Sequence, residues 1–128
     1  MKIADALEAV QEMRPGHVIT PEKMKRWLST LDRQVWEELI IRRMPDDNTP
    51  DVFCGYQDST DDNTCLMIPS PDAEDIYPMY LAMKMDLHSG EMADYINSAE
   101  LFNAAYTAFA KKYARSHRQK MNICFTNN

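Results

Sequence analysis

The sequence predicts a mainly α-helical protein of about four helices, and three observations lead to this fold class. The segment from Asp75 to Arg115 repeats apolar residues at steps of three and four, which is the period of a helix face. Gly90 divides this segment, and so short a join predicts a central antiparallel helical hairpin. The segment from Thr20 to Arg43 keeps the same period. Short apolar runs of a different kind occur between Met44 and Pro71, where a small β-hairpin or loop arm is expected between helices 2 and 3.

The first two helices are predicted from apolar periodicity and from end signals. The segment from Lys2 to Arg14 is apolar on one side and stops at Pro15-Gly16. Its apolar positions are Ile3, Ala6, Leu7 and Val10, with either Met13 or Ala9 as a fifth. Thr20-Pro21-Glu22 supplies a capping hydroxyl, a proline for the first helical position and an acid for the positive end of the helix dipole. The second helix therefore begins there, and Arg42-Arg43 followed by Pro45 predicts its end. Its apolar face comprises Met24, Trp27, Leu28, Leu31, Val35, Leu39 and Ile40.

The arm is predicted from a change in composition. Proline, Asp, Asn, Ser and Thr are frequent from Met44 to Pro71. Two brief apolar runs, Val52–Cys54 and Cys65–Ile68, are candidate strands, and the polar stretch Asp58–Asn63 lies between them. We therefore expect a β-hairpin or loop arm at about residues 45–70.

The segment from Asp75 onward is expected to form the centre of the core. The run Ile76–His88 is apolar on more than one face, which predicts a buried helix with Asp75 as its N-cap and Pro78 in its first turn. The next helix is predicted to bury a single, mostly aromatic face. That face comprises Met92, Tyr95, Ile96, Ala99, Phe102, Tyr106, Phe109 and Tyr113.

Composition predicts one globular domain over residues 1–128, because hydrophobic residues make up 45% and charged residues 27% of the chain. A tail is expected at about residues 118–128. No apolar run reaches the roughly 18 residues of a membrane-spanning helix. Asp5 stands where a signal peptide would be apolar, so secretion is not expected. The three cysteines have no C-x-x-C spacing and predict neither a zinc site nor a disulfide framework. A pairing of Cys54 with Cys65 across the arm is an open alternative.

Charge is distributed unevenly along the chain. Between Met44 and Met83 there are nine acids and no base, and between Lys111 and Lys120 there are five bases and no acid. One interpretation is a solvated loop and a helix end whose cations suit the helix dipole. The other is that the acidic arm of one copy meets the basic end of the next in a head-to-tail ring. The sequence leaves both interpretations open.

The sequence predicts no catalytic, cofactor-binding or metal-ligating residue, and no enzyme activity. Gly16, Gly55 and Gly90 are too far apart for a phosphate-binding loop. The stretch Asp58–Asn63 resembles part of a calcium loop, but it lacks the glycine and the closing glutamate of that motif. The three histidines, His17, His88 and His117, occupy positions typical of structural or exposed side chains. Tight DNA binding is not expected either, because the net charge is −6 and no DNA-binding signature is present.

Two stretches resemble a known family. The first runs from Pro69 to Phe109 and contains Tyr77-Pro78-Met79-Tyr80 and Asn103-Ala104-Ala105-Tyr106. The second contains Ile19-Thr20-Pro21-Glu22-Lys23-Met24-Lys25-Arg26-Trp27-Leu28 and Leu31-Asp32. Both are similar to small virion proteins encoded beside portal and capsid genes in tailed phages and prophages. These are the head–tail connector proteins, also called adaptor or head-completion proteins.

The resemblance implies a structural subunit without catalysis, which assembles as a ring between the portal and the tail. It implies as partners further copies of the chain and the phage portal and tail proteins, with the Val52–Ile68 arm and the tail reaching them. The expected location is the virion, and the host cytoplasm during assembly. Contact with packaged DNA is expected to be passive only, because the acidic surface would keep DNA from sticking. No cofactor, membrane or small-molecule substrate is expected. The alternative is a cytosolic helical module that holds a partner peptide on a Met- and Tyr-rich hairpin surface.

Overall fold

The structure is a computed structural model that describes residues 1–42 and 53–116. Within these ranges the chain is mainly α-helical, as predicted. Four α-helices are present there: α1 (Ile3–Met13), α2 (Pro21–Val35), α3 (Asp72–Ser89) and α4 (Met92–Ser116). A π-helical turn, Trp36–Ile40, continues α2. The described ranges contain no β-strand, and no helix in them is long and apolar enough to cross a membrane.

Helix α1 buries three of its predicted apolar positions, namely Ile3, Ala6 and Val10. Met13, one of the two alternatives for a fifth position, is 42% exposed. The first N–H groups of a helix have no partner within the helix. Here the N–H of Ile3 donates to the carbonyl of Thr64 at 3.0 Å, and that of Ala4 donates to the carbonyl of Asp62 at 2.9 Å. The loop that precedes α3 therefore caps the start of α1.

Helix α2 begins as predicted and ends differently. The Thr20 hydroxyl accepts a hydrogen bond from the N–H of Lys23 at 3.2 Å, and Pro21 is the first helical residue. The predicted helix ran to Arg42-Arg43, but α2 ends at Val35 and widens into the π-helical turn. A π turn holds more residues than an α turn, so Trp36 faces the core beside Val35, and it was absent from the predicted face. The proposed stop signal Pro45 lies outside the described residues.

Helix α3 is the centre of the core, because it packs against α1, α2 and α4. It buries residues on several sides: Ala73, Ile76, Tyr77, Pro78, Tyr80, Leu81, Ala82, Met85 and Asp86. The helix begins at Asp72, where the N–H of Ala73 donates to the carbonyl of Pro69 at 3.1 Å. Asp75 is therefore not its N-cap, and Pro78 lies beyond the first turn. Three acids in that turn suit the positive end of the dipole and favour the earlier start.

Helix α4 runs back along α3 after a join of two residues, Gly90 and Glu91. Three contacts fix its direction, because residues later in α3 meet residues earlier in α4. These contacts are Asp86 with Ser98, Tyr80 with Phe102, and Asp72 with Lys112. Gly90 ends α3 in the left-handed conformation, with φ of 78°.

The predicted aromatic face of α4 is buried only in part. Phe102 and Phe109 are buried, and the rings of Tyr80 and Phe102 lie 5.2 Å apart. Met92 and Ile96, which were predicted to face the core, are 55% and 56% exposed. The polar Ser98 occupies an inward position instead. The centre of the interface is therefore rotated away from Ile96, and the prediction was wrong for these two residues.

The segment from residue 53 to 71 is a loop that packs on its own chain. Leu66 and Ile68 are buried in the core, and the only bridge of β type in the described ranges joins Lys2 to Cys65. Val52, the first residue of the predicted strands, lies outside the described residues. Cys54 and Cys65 are free and exposed. The described part of the predicted arm, residues 53–71, is therefore a loop that covers α1 and α2, and we call it the covering loop.

We expect Gly90→Ala to lower the free energy of unfolding by about 1 kcal/mol. A Cβ atom at this position meets nothing within 4 Å, so the loss comes from the positive φ alone. Gly90→Asn is the matched control and should lose less, because Asn tolerates the left-handed conformation better than Ala. Urea unfolding of the three proteins measures this, and equal losses for Ala and Asn would contradict the assignment.

Candidate assembly surface

A buried carboxylate joins α2, α3 and the covering loop. Asp32 is fully buried, and its Oδ1 accepts a hydrogen bond from the hydroxyl of Tyr77 at 2.6 Å. Its Oδ2 accepts from the hydroxyl of Tyr56 and from the N–H of Met67, the latter at 3.1 Å. The hydroxyl of Tyr77 in turn accepts from the N–H of Ile68 at 2.8 Å. One acid of α2 thus accepts hydrogen bonds from three groups, one on α3 and two on the loop.

Burial controls the protonation of this cluster. Desolvation raises the pKa of Asp32, and the hydrogen bonds from Tyr56, Tyr77 and Met67 act in the opposite direction. Burial, reinforced by the nearby Asp32, raises the pKa of both tyrosines, and that of Tyr77 lies well above its ordinary value. Both hydroxyls therefore keep their protons and act as donors. Since Asp32 and Tyr77 are inaccessible to solvent, the cluster serves to hold the fold together.

A second carboxylate joins the end of α1 to α3 and α4. Asp86 accepts from Nε of Arg14 at 3.0 Å and from a terminal guanidinium nitrogen of Arg14 at 2.8 Å. The hydroxyl of Ser98 donates to the same carboxylate. The hydrogen bond from Arg14 is the main cause that lowers the pKa of Asp86. Asp86 is therefore a charged group that its partners stabilise.

A groove of about 530 Å³ lies beside this ion pair, between the turn after α1 and the turn after α3. His17 lines it, with Nδ1 accepting the N–H of Ile19 at 3.1 Å, while its Nε2 is buried without a partner in the described part of the chain. Arg14 is the only lysine or arginine among the lining residues, and Asp86 already engages it. Glu91 and Asp94 also line the groove. An anion would therefore find no free guanidinium or ammonium group there.

The acids of the covering loop are largely engaged within the subunit. Asp58 pairs with Arg26 at 2.6 Å, and Asp62 pairs with Lys25 at 2.8 Å. Arg26 lowers the pKa of Asp58. Asp61 accepts the N–H of Asn63 at 2.8 Å, as in a tight polar turn. No group of three or more potential metal ligands occurs in the described residues. The other acids of the predicted arm, Asp46, Asp47 and Asp51, lie outside the described residues.

One side of α4 is exposed from its beginning to its end. We define the outer face of α4 as Ala93, Asn97, Glu100, Ala104, Lys111 and Arg115, which recur at helical spacing and are all exposed. Ile96 and Leu101 flank this face and are 56% and 52% exposed. A shallow depression of about 530 Å³ covers its second half, from Asn103 to Arg115. The small side chains along it leave room for another chain to approach.

Charge divides this helix into two halves. Glu91, Asp94 and Glu100 lie at its beginning, whereas Lys111 and Arg115 lie near its end. Residues 101–110 carry no charge. Lys112 pairs with Asp72 at 2.6 Å, but Lys111 and Arg115 have no ion-pair partner in the described residues. The remaining members of the basic cluster, Arg118 and Lys120, and His117 with them, lie outside those residues.

Sequence reasoning did not find the residues that organise the interior. Asp32, Asp86 and Ser98 are buried polar side chains, yet none was singled out from the sequence as part of the core. A signal was present for Asp32, which follows Leu28 by four residues and precedes Val35 by three. An acid in phase with an apolar face predicts a buried, hydrogen-bonded carboxylate.

Comparison with known proteins gives no match: no family model, no curated protein and no solved structure matches this chain. The fold is that of a mainly helical protein, and helix α4 has one exposed face that carries charge at both ends.

We expect Tyr77→Phe to lower the free energy of unfolding by about 2–3 kcal/mol, because Asp32 and the N–H of Ile68 both lose a buried partner. Tyr80→Phe is the matched control, since the hydroxyl of Tyr80 makes no hydrogen bond in the described residues. Urea unfolding near neutral pH measures both changes. A similar small effect for both substitutions would show that the Asp32 cluster does not hold the fold.

Asp86 should stabilise the fold in a pH-dependent way. Its pKa lies below the ordinary value of 3.8 in the folded chain, so the unfolded chain binds more protons between the two values. The stabilisation is complete above the ordinary value and is lost as pH falls through the folded value. We expect Asp86→Asn to cost about 1–2 kcal/mol near neutral pH, because Arg14 remains partly in solvent.

That cost should shrink as the pH falls below the ordinary value of 3.8. Unfolding of the parent chain and of the variant at a series of pH values measures the difference between them. Asp94→Asn is a control on an exposed acid near the same ion pair and should have little effect at any pH. A difference between Asp86→Asn and the parent that does not change with pH would contradict this assignment.

Proposed function

We propose that this chain is a structural virion protein of a tailed phage or prophage, a head–tail connector that assembles as a ring between portal and tail and carries out no catalysis. The sequence resemblance supports this proposal. Several residues that carry the resemblance contribute to packing. Tyr80, Phe102 and Tyr106 pack together along the contact of α3 with α4. Tyr77 is buried against Asp32 and Ile68. A packed helical subunit is what an assembly protein requires.

The observation that carries the proposal is the uncovered side of α4. This helix has 25 residues but buries only Ser98, Phe102 and Phe109. Three large apolar side chains, Met92, Ile96 and Leu101, are each more than half exposed. Ile96 and Leu101 border the outer face on its two sides, so a chain that covered this face would shield both. We therefore assign α4 as a contact surface for another protein chain.

In this proposal the covering loop has a smaller part in assembly than the sequence suggested. Asp58 and Asp62 neutralise Arg26 and Lys25 of their own subunit, so they are poor candidates for pairing with a neighbour. Glu74 and Asp75 at the start of α3 are exposed. In a ring, such acids would repel packaged DNA and limit it to passive contact. The tail at about 118–128 is retained as a proposed contact with the portal or tail proteins.

A second candidate function is a cytosolic helical module that binds a single partner protein. The same uncovered side of α4 supports it, because a partner peptide could cover Ile96 and Leu101. The Met-rich surface is less suited to this role, since Met85 is buried and Met79 and Met83 pack against the core. The two functions differ in oligomeric state, because a connector forms rings and a module stays small.

We expect the full chain to form rings by itself or with its portal protein, seen by electron microscopy and light scattering. Leu101→Glu should weaken assembly about tenfold or more, because it places a charge in an apolar contact. Val18→Glu is the matched control, since Val18 is 89% exposed on the turn after α1. Circular dichroism checks that both variants fold. A chain that stays monomeric even with the portal, or equal effects of both variants, would overturn the proposal.

A further inference from the structure

We propose that two copies of this chain pair through the outer face of α4, with the helices antiparallel and a two-fold axis near Ala104. The inference rests on the proposed function in one respect, because both treat the outer face of α4 as a protein contact. It goes further by naming the occupant of that face as the same face of a second copy.

The shape of the face permits a close helix pair. Ala104 lies at the middle of the outer face, and the neighbouring Asn103, Thr107 and Ala108 line the shallow depression. Small side chains at a helix interface let the backbones approach to about 8 Å. From Ala93 to Arg115 the face is about 33 Å long at the helical rise per residue. Nothing else in the described residues covers it, because α3 packs on the opposite side through Phe102 and Phe109.

Charge fixes the direction of the pair. With Ala104 on the axis, Lys111 of one copy lies opposite Asn97 of the other, within one helical turn of Asp94 and Glu100. Arg115 lies opposite Ala93, within one turn of Glu91 and Asp94. The basic end of each copy thus lies against the acidic beginning of the other copy, and the symmetric pair contains this contact twice. A parallel pair would instead place Glu100 against Glu100 and Lys111 against Lys111, and like charges at this separation repel.

The helix dipole accounts for only part of this pattern. Asp94 in the first turn and Arg115 in the last turn suit the dipole of α4 itself. Glu100 lies in the third turn, beyond the reach of the dipole, and it shares one exposed stripe with Lys111 and Arg115. A neutral centre between an acidic and a basic half is the pattern that makes a single surface complementary to itself.

The apolar side chains beside the stripe fit the same arrangement. Ile96 and Leu101 lie on opposite flanks of the outer face. In the antiparallel pair each flank meets the same flank of the second copy, so Leu101 lies nearest Ala108 of that copy and Ile96 lies nearest Ala114. The two exposed side chains are then shielded in both copies. A two-fold contact closes at two copies, so this pair is distinct from the ring contact and is a state of the free chain.

Cysteine cross-linking tests the position of the axis. In the full chain with Cys54→Ser, Cys65→Ser and Cys124→Ser, we expect Ala104→Cys to form a disulfide-linked dimer under mild oxidation, because the two thiols meet at the axis. The matched control Ala93→Cys lies at the end of the same face, and its two copies would be about 33 Å apart. It should remain unlinked. Cross-linking at position 93 instead would show a parallel pair and overturn the proposal.

Charge exchange tests the direction of the pair in the same background. Lys111→Glu with Arg115→Glu should raise the dimer dissociation constant about tenfold or more, measured by sedimentation. Adding Asp94→Lys and Glu100→Lys should restore pairing, because the charges are then exchanged on both halves. A monomer at all concentrations in the parent chain, or no restoration, would overturn the proposal. Ring formation on the portal is scored separately, so its presence or absence tests the proposed function independently.

Discussion

The fold depends on the carboxylate of Asp32 more than on any other polar group. Apart from the bridge of Cys65 to Lys2, the covering loop forms no strand pairing over residues 53–71, so its other buried N–H groups need acceptors from elsewhere. Asp32 accepts the N–H of Met67 directly, and it orients Tyr77 to accept the N–H of Ile68. Loop, α2 and α3 are therefore fixed to one another at a single point. Because the acceptor is buried, any shift of the loop would leave several polar groups without partners.

The two buried acids act on stability in opposite directions. The raised pKa of Asp32 means that its carboxylate form is disfavoured in the folded chain, so this group subtracts stability as pH rises above 3.8. The lowered pKa of Asp86 means the reverse, and this group adds stability above the same value. Arg14 explains the difference, because it supplies a positive charge to Asp86, whereas Asp32 receives only neutral donors. Asp32 therefore fixes the positions of the covering loop, α2 and α3 relative to one another, whereas Asp86 adds to the free energy of unfolding.

The sequence predicts the helices well where apolar period and end signals agree, as at Thr20-Pro21 and along α3. The sequence-based prediction fails where a contact between residues distant in the chain determines the local structure. The π turn changes the number of residues per turn and directs Trp36 inward, whereas a strict spacing of three and four residues does not predict this inward position. Ser98 enters the core because Asp86 is there to receive it, so Ile96 is left outside. The covering loop follows the acceptors of α2 rather than pairing with itself, and no local pattern encodes that choice.

The uncovered face of α4 follows from the way the core is closed. Helix α3 is surrounded by α1, α2 and α4, so it leaves little surface for a partner. The loop that might have reached outward instead uses Asp58 and Asp62 to bind cations of its own subunit. Helix α4, the longest helix in the described ranges, needs only a narrow strip to bind α3 and keeps an exposed side. Its remaining side carries opposite charges at its two ends, and that asymmetry decides which orientation of a partner helix it can accept.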